Sequence, residues 1–177
     1  IDTRALTKIL REKGTMNGMI TTNADYDLEE VKKKCSSIIG NSMIEYLSQG
    51  NAELYDGTIE TLVKLNELGY KLIFLSNCKV SYMKKHIEIF RLDKYFIDFY
   101  CSEDFDFNPK HEIFKVIKEK HQGDFIIVGD RFVDIEIAKK YNLYSIGCAY
   151  GYGNDKELKE ADYIIDSINE ILNIREI

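Results

Sequence analysis

The chain carries none of the marks of a secreted, membrane-spanning or nucleic-acid-binding protein. No apolar run approaches the roughly 20 residues needed to cross a bilayer. No basic stretch followed by an apolar core opens it, so nothing marks it for secretion and a cytoplasmic location is expected. Lysine and arginine number 24 against 30 acidic residues, a net charge of -6 without a basic stripe, which argues against nucleic acid as a partner. Cys35, Cys78, Cys101 and Cys148 lie far apart and form no CxxC pair. That spacing excludes a zinc knuckle or disulfide frame and fits reduced thiols. There is no internal repeat and no low-complexity linker. Nor is there an initiator methionine; a chain that begins at Ile1 fits a fragment. What remains is 177 residues, 45% hydrophobic and 31% charged, enough for one domain with a real core, or one domain and an appendage.

The most informative stretch is Phe125-Ile126-Ile127-Val128-Gly129-Asp130-Arg131-Phe132-Val133-Asp134. Four apolar residues closed by glycine predict a buried parallel strand. A helix then follows over residues 133–141, with Val133, Ile137 and Tyr141 on one face. Asp130 therefore falls at the carboxyl end of a strand, where open α/β sheets build their sites. Asp134 lies one helical turn further on, close enough to share a hard cation, although an aspartate at a helix start is also an ordinary cap.

Strands and helices alternate from Asp56 onward. A helix opens at Asp56-Gly57-Thr58, carries Ile59, Leu62, Val63, Leu65 and Leu68, and stops at Gly69. Strands are predicted over residues 70–75, 96–101, 125–128, 143–149 and 163–165. Helices are predicted over 80–90, 110–120, 133–141 and 167–174. The pattern implies a doubly wound parallel sheet in three layers. Three segment ends carry polar groups that can converge. Ser76 and Asn77 follow one strand and, with nearby backbone N–H groups, can hold phosphate oxygens. Lys110 starts a helix and can neutralise a transferring phosphoryl group. Asp130 and Asp134 offer oxygens to Mg²⁺, which needs few protein carboxylates. His86, His111 and His121 have no ligand spacing and read as surface residues. Residues 147–153, rich in Gly and Tyr, read as a flexible loop near the sheet's carboxyl edge.

Residues 38–177 resemble the haloacid dehalogenase-like (HAD) hydrolase superfamily. The resemblance rests on Phe74-Leu75-Ser76-Asn77, on Lys110, on Gly129 to Asp134, and on the helix leading into the first of these. It implies a Mg²⁺-dependent phosphatase of Rossmann-like fold acting on a small phosphorylated molecule. Ser76, Asn77 and Lys110 would lie on phosphate, Asp130 and Asp134 on the metal, and Lys110 and Asp130 in the catalytic machinery. A Lys-Pro alignment would put Asn108 at the lysine position; Lys110 is preferred because a neutral Asn leaves phosphoryl charge uncompensated.

One part of the family pattern is missing. Members attack phosphate with the first aspartate of a DxDx[TV] segment after a buried first strand, and a second aspartate acts as acid and base. Three segments imitate it: Asp25-Tyr26-Asp27-Leu28-Glu29, Leu54-Tyr55-Asp56-Gly57-Thr58 and Asp104-Phe105-Asp106-Phe107-Asn108. They read instead as a loop, a helix cap and an acidic turn. No nucleophile is identified.

Residues 1–20, and with fading likeness those up to about 35, resemble the amino-terminal domain of the carbamoyl-phosphate synthase small chain. That resemblance implies a short helical appendage able to meet another protein chain through residues 1–22. The expected organisation is a synthase-like segment, 1–37, joined to an incomplete HAD-like core, 38–177, without its central first strand. Either a substitute such as Met19–Thr22 enters the vacant position or its two neighbours close up directly, because buried unpaired backbone groups are costly. Residues 43–49 read as a remnant of a cap domain. Three functions are expected to compete: a phosphatase impaired by the missing aspartate, a noncatalytic phosphate- or metal-binding domain, and a synthase-related docking piece.

Overall fold

The computed structural model describes residues 53–174. The synthase-like segment, the Asp25–Asp27 pair, Met19–Thr22, Cys35 and the cap remnant lie outside them. The described elements are α1 (Thr58–Glu67), β1 (Leu72–Ser76), α2 (Val80–Phe90), β2 (Phe96–Cys101), α3 (Lys110–Lys120), β3 (Ile126–Gly129), α4 (Phe132–Tyr141), β4 (Tyr144–Cys148), α5 (Asp155–Leu158) and β5 (Tyr163–Ile165). Helix α1 starts after Gly57, whose φ of 76° suits a residue without Cβ. Its last turn closes at Gly69, with Tyr70 N–H donating to the Leu65 carbonyl at 3.0 Å. Helix α4 ends on Asn142 at φ 53°, the residue other than glycine best suited to that conformation.

All strand pairs are parallel, and they fall into two ladders. One is β1–β2, with Phe74 beside Phe99 and Ser76 beside Cys101. The other runs β3–β4–β5, with Ile127 beside Ser145 and Gly147 beside Ile164. Among the described residues, β1 and β3 do not pair, so the two strands have not closed up directly.

Alternation along the strands feeds two cores on opposite faces. Leu72 and Ile126 join Leu65, Ile146, Cys148, Ile165 and Ile171 on the face covered by α1 and the carboxyl-terminal turn. Ile73, Leu75, Phe125 and Ile127 join Tyr100, Ile113, Phe114, Ile117 and Ile137 beneath α3 and α4. The result is a three-layer α/β arrangement. Both cores draw residues from both ladders, so helices on each face hold the two half-sheets together.

Three expectations need correction. In place of the α-helix expected over residues 167–174 stands a 3₁₀ turn, Ile168–Asn173. Ser167 Oγ bonds to the Asn169 and Glu170 side chains, and Glu170 accepts from the Asp166 N–H, a local competition that disfavours a regular helix. Helix α5 has no counterpart in the sequence reading; Asn154 Oδ1 caps it by accepting from Lys156 and Glu157 N–H groups at 3.0 and 3.3 Å. The three histidines expected at the surface are half-buried and packed or paired. His86 lies between Tyr82 and Phe90, His111 is 18% exposed, and His121 sits on the Asp98 carboxylate at 2.9 Å.

Candidate functional site

The charged centre is the pair Lys110–Asp134. Lys110 Nζ donates to Asp134 Oδ1 at 2.6 Å, with the side chains 12% and 8% exposed. Lys110 is the first residue of α3, after Pro109. A cation there opposes the helix dipole, which favours anions at that end. Asp134 compensates it from the first turn of α4, where its other oxygen accepts from Arg131 N–H at 3.2 Å. The aspartate is therefore both helix cap, as its position in the sequence allowed, and charge partner of Lys110.

Asp130 is held from the loop after β4. Tyr152 N–H donates to Asp130 Oδ2 at 2.6 Å. The loop approaches so closely that a Cβ on Gly151 would lie 2.3 Å from Asp130 Cβ. One on Gly153 would lie 1.7 Å from the Asp130 carbonyl oxygen. On the other side, a Cβ on Gly129 would meet Asp134 Cγ at 2.3 Å. Three glycines thus let backbone and carboxylates crowd together. The loop expected to be merely flexible is the clamp on Asp130.

Ser76 stands at the end of β1. Burial pushes the Cys78 thiol up; a hydrogen bond from Ser76 and the positive charge of Lys110 pull the other way. Burial also raises the Cys148 thiol, and Asp130 and Asp134 both bear on it. Asp130 directly follows β3, while Asn77 is exposed at the turn beside Ser76. Tyr55 stacks edge-on against Tyr150 at 4.9 Å, and burial and the Cys148 thiol raise the Tyr150 hydroxyl.

Two supporting carboxylates had no signal in the sequence. Glu103 Oε2 accepts from Val80 N–H at 2.8 Å and so caps α2 beside Cys78. Glu157 Oε2 accepts from Arg131 Nε at 2.8 Å and from Phe132 N–H at 3.2 Å, fixing the start of α4. Each is a lone glutamate outside any motif, recruited only by the folded chain. No aspartate of the two imitations among the described residues is bonded to Lys110, Asp130 or Asp134 in any hydrogen bond or ion pair described above. Asp56 is exposed before α1, and Asp104 accepts from the Cys101 thiol at 3.3 Å in a 3₁₀ turn.

Among the described residues no three metal-type side chains cluster. Two carboxylates still suit Mg²⁺, which keeps several waters and commonly takes one or two protein carboxylates. Asp134 already serves Lys110 and Arg131 N–H, whereas Asp130 has one oxygen committed to Tyr152 N–H. Asp130 and Asp134 are the carboxylates here that could hold such an ion, with Asp130 keeping one oxygen clear of the bonds described above.

No described helix is long and apolar enough to cross a membrane. Among curated proteins, the chain is 28% identical to a phosphoglycolate phosphatase of Vibrio parahaemolyticus over 70% of its own length and 57% of that protein's. It therefore spans little more than half of that relative. A phosphoglycolate phosphatase of Escherichia coli O157:H7 is 26% identical, with 96% of this chain and 70% of that protein covered. A solved Clostridium difficile structure, provisionally named a phosphatase, shares the fold at TM-score 0.73 and 23% identity, covering 95% of this chain and 81% of that one. The family model for haloacid dehalogenase-like hydrolases matches residues 8–148, which takes in most of the segment that resembles the synthase small chain. By that match, the chain belongs to the haloacid dehalogenase-like hydrolase family.

Proposed function

We propose that this chain is a phosphatase-type domain that binds a small phosphorylated molecule and is impaired in turnover. The buried Lys110–Asp134 pair carries the reading. A lysine at the unfavourable end of a helix dipole is hard to explain by stability alone. It makes sense as the positive end of an anion site whose ligand completes the charge balance. In this reading Ser76, Asn77 and Lys110 take the phosphate, and Asp130 and Asp134 face Mg²⁺, which when bound would shield phosphoryl charge. The phosphoglycolate phosphatases among the relatives suggest a compact phosphorylated acid as substrate.

Turnover in this family needs an attacking aspartate, and the described one beside Lys110, Asp134, is committed to Lys110 and the Arg131 N–H. A second reading, a domain that binds phosphate or metal without hydrolysis, uses the same residues and needs no attacking aspartate. Hydrolysis of p-nitrophenyl phosphate and 2-phosphoglycolate with Mg²⁺ decides between them. Turnover abolished by Asp130→Ala establishes the phosphatase. Mg²⁺-dependent phosphate binding without turnover establishes the binding domain. Activity lost in Asp27→Ala would restore Asp25-Tyr26-Asp27 as the catalytic segment, with Asp27 in the acid–base position. The docking reading for residues 1–22 predicts instead co-purification with a carbamoyl-phosphate synthase large chain. If neither turnover nor phosphate binding is seen, the anion-site assignment fails.

A further inference from the structure

The first turn of α3 is laced to α4 residue by residue. Lys110 pairs with Asp134, and His111 Nδ1 lies 3.5 Å from Glu136 Oε2. Tyr141 OH donates to the His111 carbonyl at 3.0 Å. Glu112 Oε1 accepts from Lys140 Nζ at 2.8 Å and stands 3.3 Å from His111 Nε2. Each ring nitrogen of His111 therefore has a carboxylate near it, yet Nδ1 is buried and makes no hydrogen bond among the described residues. In these contacts two lysines meet three carboxylates, so the lacing is one positive charge short while the imidazole is neutral. Lys115 adds its charge at Glu112 from within α3, without a bond to it. An imidazolium supplies the missing charge and turns both ring nitrogens into donors. Histidine is also the one side-chain type among these whose ordinary range lies near neutral pH.

We propose that His111 is a positioning residue for the anion site, acting through Lys110 by balancing the charge beside it. The inference rests on the reading of Lys110 as a phosphate-binding group. When His111 is protonated, an arriving anion meets a lacing without net charge. When it is neutral, one carboxylate charge is left over beside Lys110 and repels the anion. A cation at this end of α3 opposes the helix dipole, as Lys110 does, so Glu112 and the carboxylates of α4 are what hold it. The His111 side chain is only 18% exposed, so salt screens the effect less than it would at an open surface.

The test uses the full chain with Mg²⁺ and inorganic sulfate, which stays a dianion throughout the range in which histidine titrates. Sulfate affinity should weaken at least threefold between about pH 5.5 and about pH 8. His111→Gln should bind weakly at every pH, with a flat profile that also excludes His86 and His121 as the source. Glu136→Gln removes the surplus carboxylate and should keep the strong binding up to about pH 8. A flat profile in the parent chain, a profile that survives in His111→Gln, or weakened binding in Glu136→Gln would each overturn the proposal. Carbon-13 NMR of the sulfate-free chain separates it from the reading beneath it. The Glu112 and Glu136 carboxyl signals should move at the same midpoint as the His111 ring. If they do and sulfate binds at no pH, the anion-site reading fails while the pairing stands; if they do not, the pairing itself is wrong.

Discussion

Lys110 and Asp134 form a nearly buried ion pair, and the physics of such pairs makes an asymmetric prediction. At 2.6 Å, with an effective dielectric of about 20, their attraction is roughly 6 kcal/mol. Desolvation of both charges cancels much of it, so the pair as a whole contributes little net stability. Removing one partner is different, because the attraction disappears while the other charge stays buried. Lys110→Met and Asp134→Asn should each cost about 3–5 kcal/mol, a large share of the 5–15 kcal/mol typical of a domain. The double variant should cost less than either single one, since it leaves no buried charge, and the amide oxygen introduced by Asp134→Asn can still accept from Arg131 N–H. Urea unfolding of the four proteins completes the cycle. If the double variant loses the sum of the single losses, Lys110 and Asp134 are not coupled, and the charged centre described above is wrong.

Gly153→Ala places a Cβ against the Asp130 carbonyl, so the loop must move; we expect about 3 kcal/mol of lost stability and at least tenfold faster exchange at the Tyr152 amide. Unchanged exchange would show that the loop does not clamp Asp130. His86 Nε2 is buried without a hydrogen-bond partner, and burial lowers its proton affinity. The unfolded chain therefore takes up the proton first, and stability falls as pH drops below about 6.5. His86→Phe keeps the ring contacts, should add about 1 kcal/mol, and should flatten the urea midpoint between pH 7 and 5. Burial raises the Asp98 carboxyl, but Lys120, Tyr100 and His121 outweigh it and hold it well below the usual range. Its contribution is complete above about pH 4 and fades as pH falls further, so Asp98→Asn should lose less stability than the parent between pH 4.5 and 2.5.

Several elements were legible because their signals are local. Helix α2, strand β2, helix α3 and strand β5 fall where periodicity, Pro109 and the apolar runs put them, and Gly57 and Gly69 bracket α1. Lys110, the lysine that the charge argument preferred over Asn108, pairs with Asp134. What failed depended on partners distant in sequence. No periodicity reveals that His86 is enclosed by Tyr82 and Phe90 or that His121 lies on Asp98. Ser167, Asn169 and Glu170 each allow a helix, but their side-chain bonds tighten the turn. The Gly147–Gly153 segment has the composition of any loop, and only its approach to Asp130 makes it part of the site.

The amino acids by themselves determined the alternation of strands and helices and the order of the polar strand ends, because burial patterns and helix stops act between near neighbours in the chain. Tertiary structure alone decided that Lys110 neutralises Asp134, that Glu103 and Glu157 brace the helices behind them, and that β1 and β3 do not pair with each other. Those outcomes depend on distances between segments brought together by two shared cores, which no local pattern encodes.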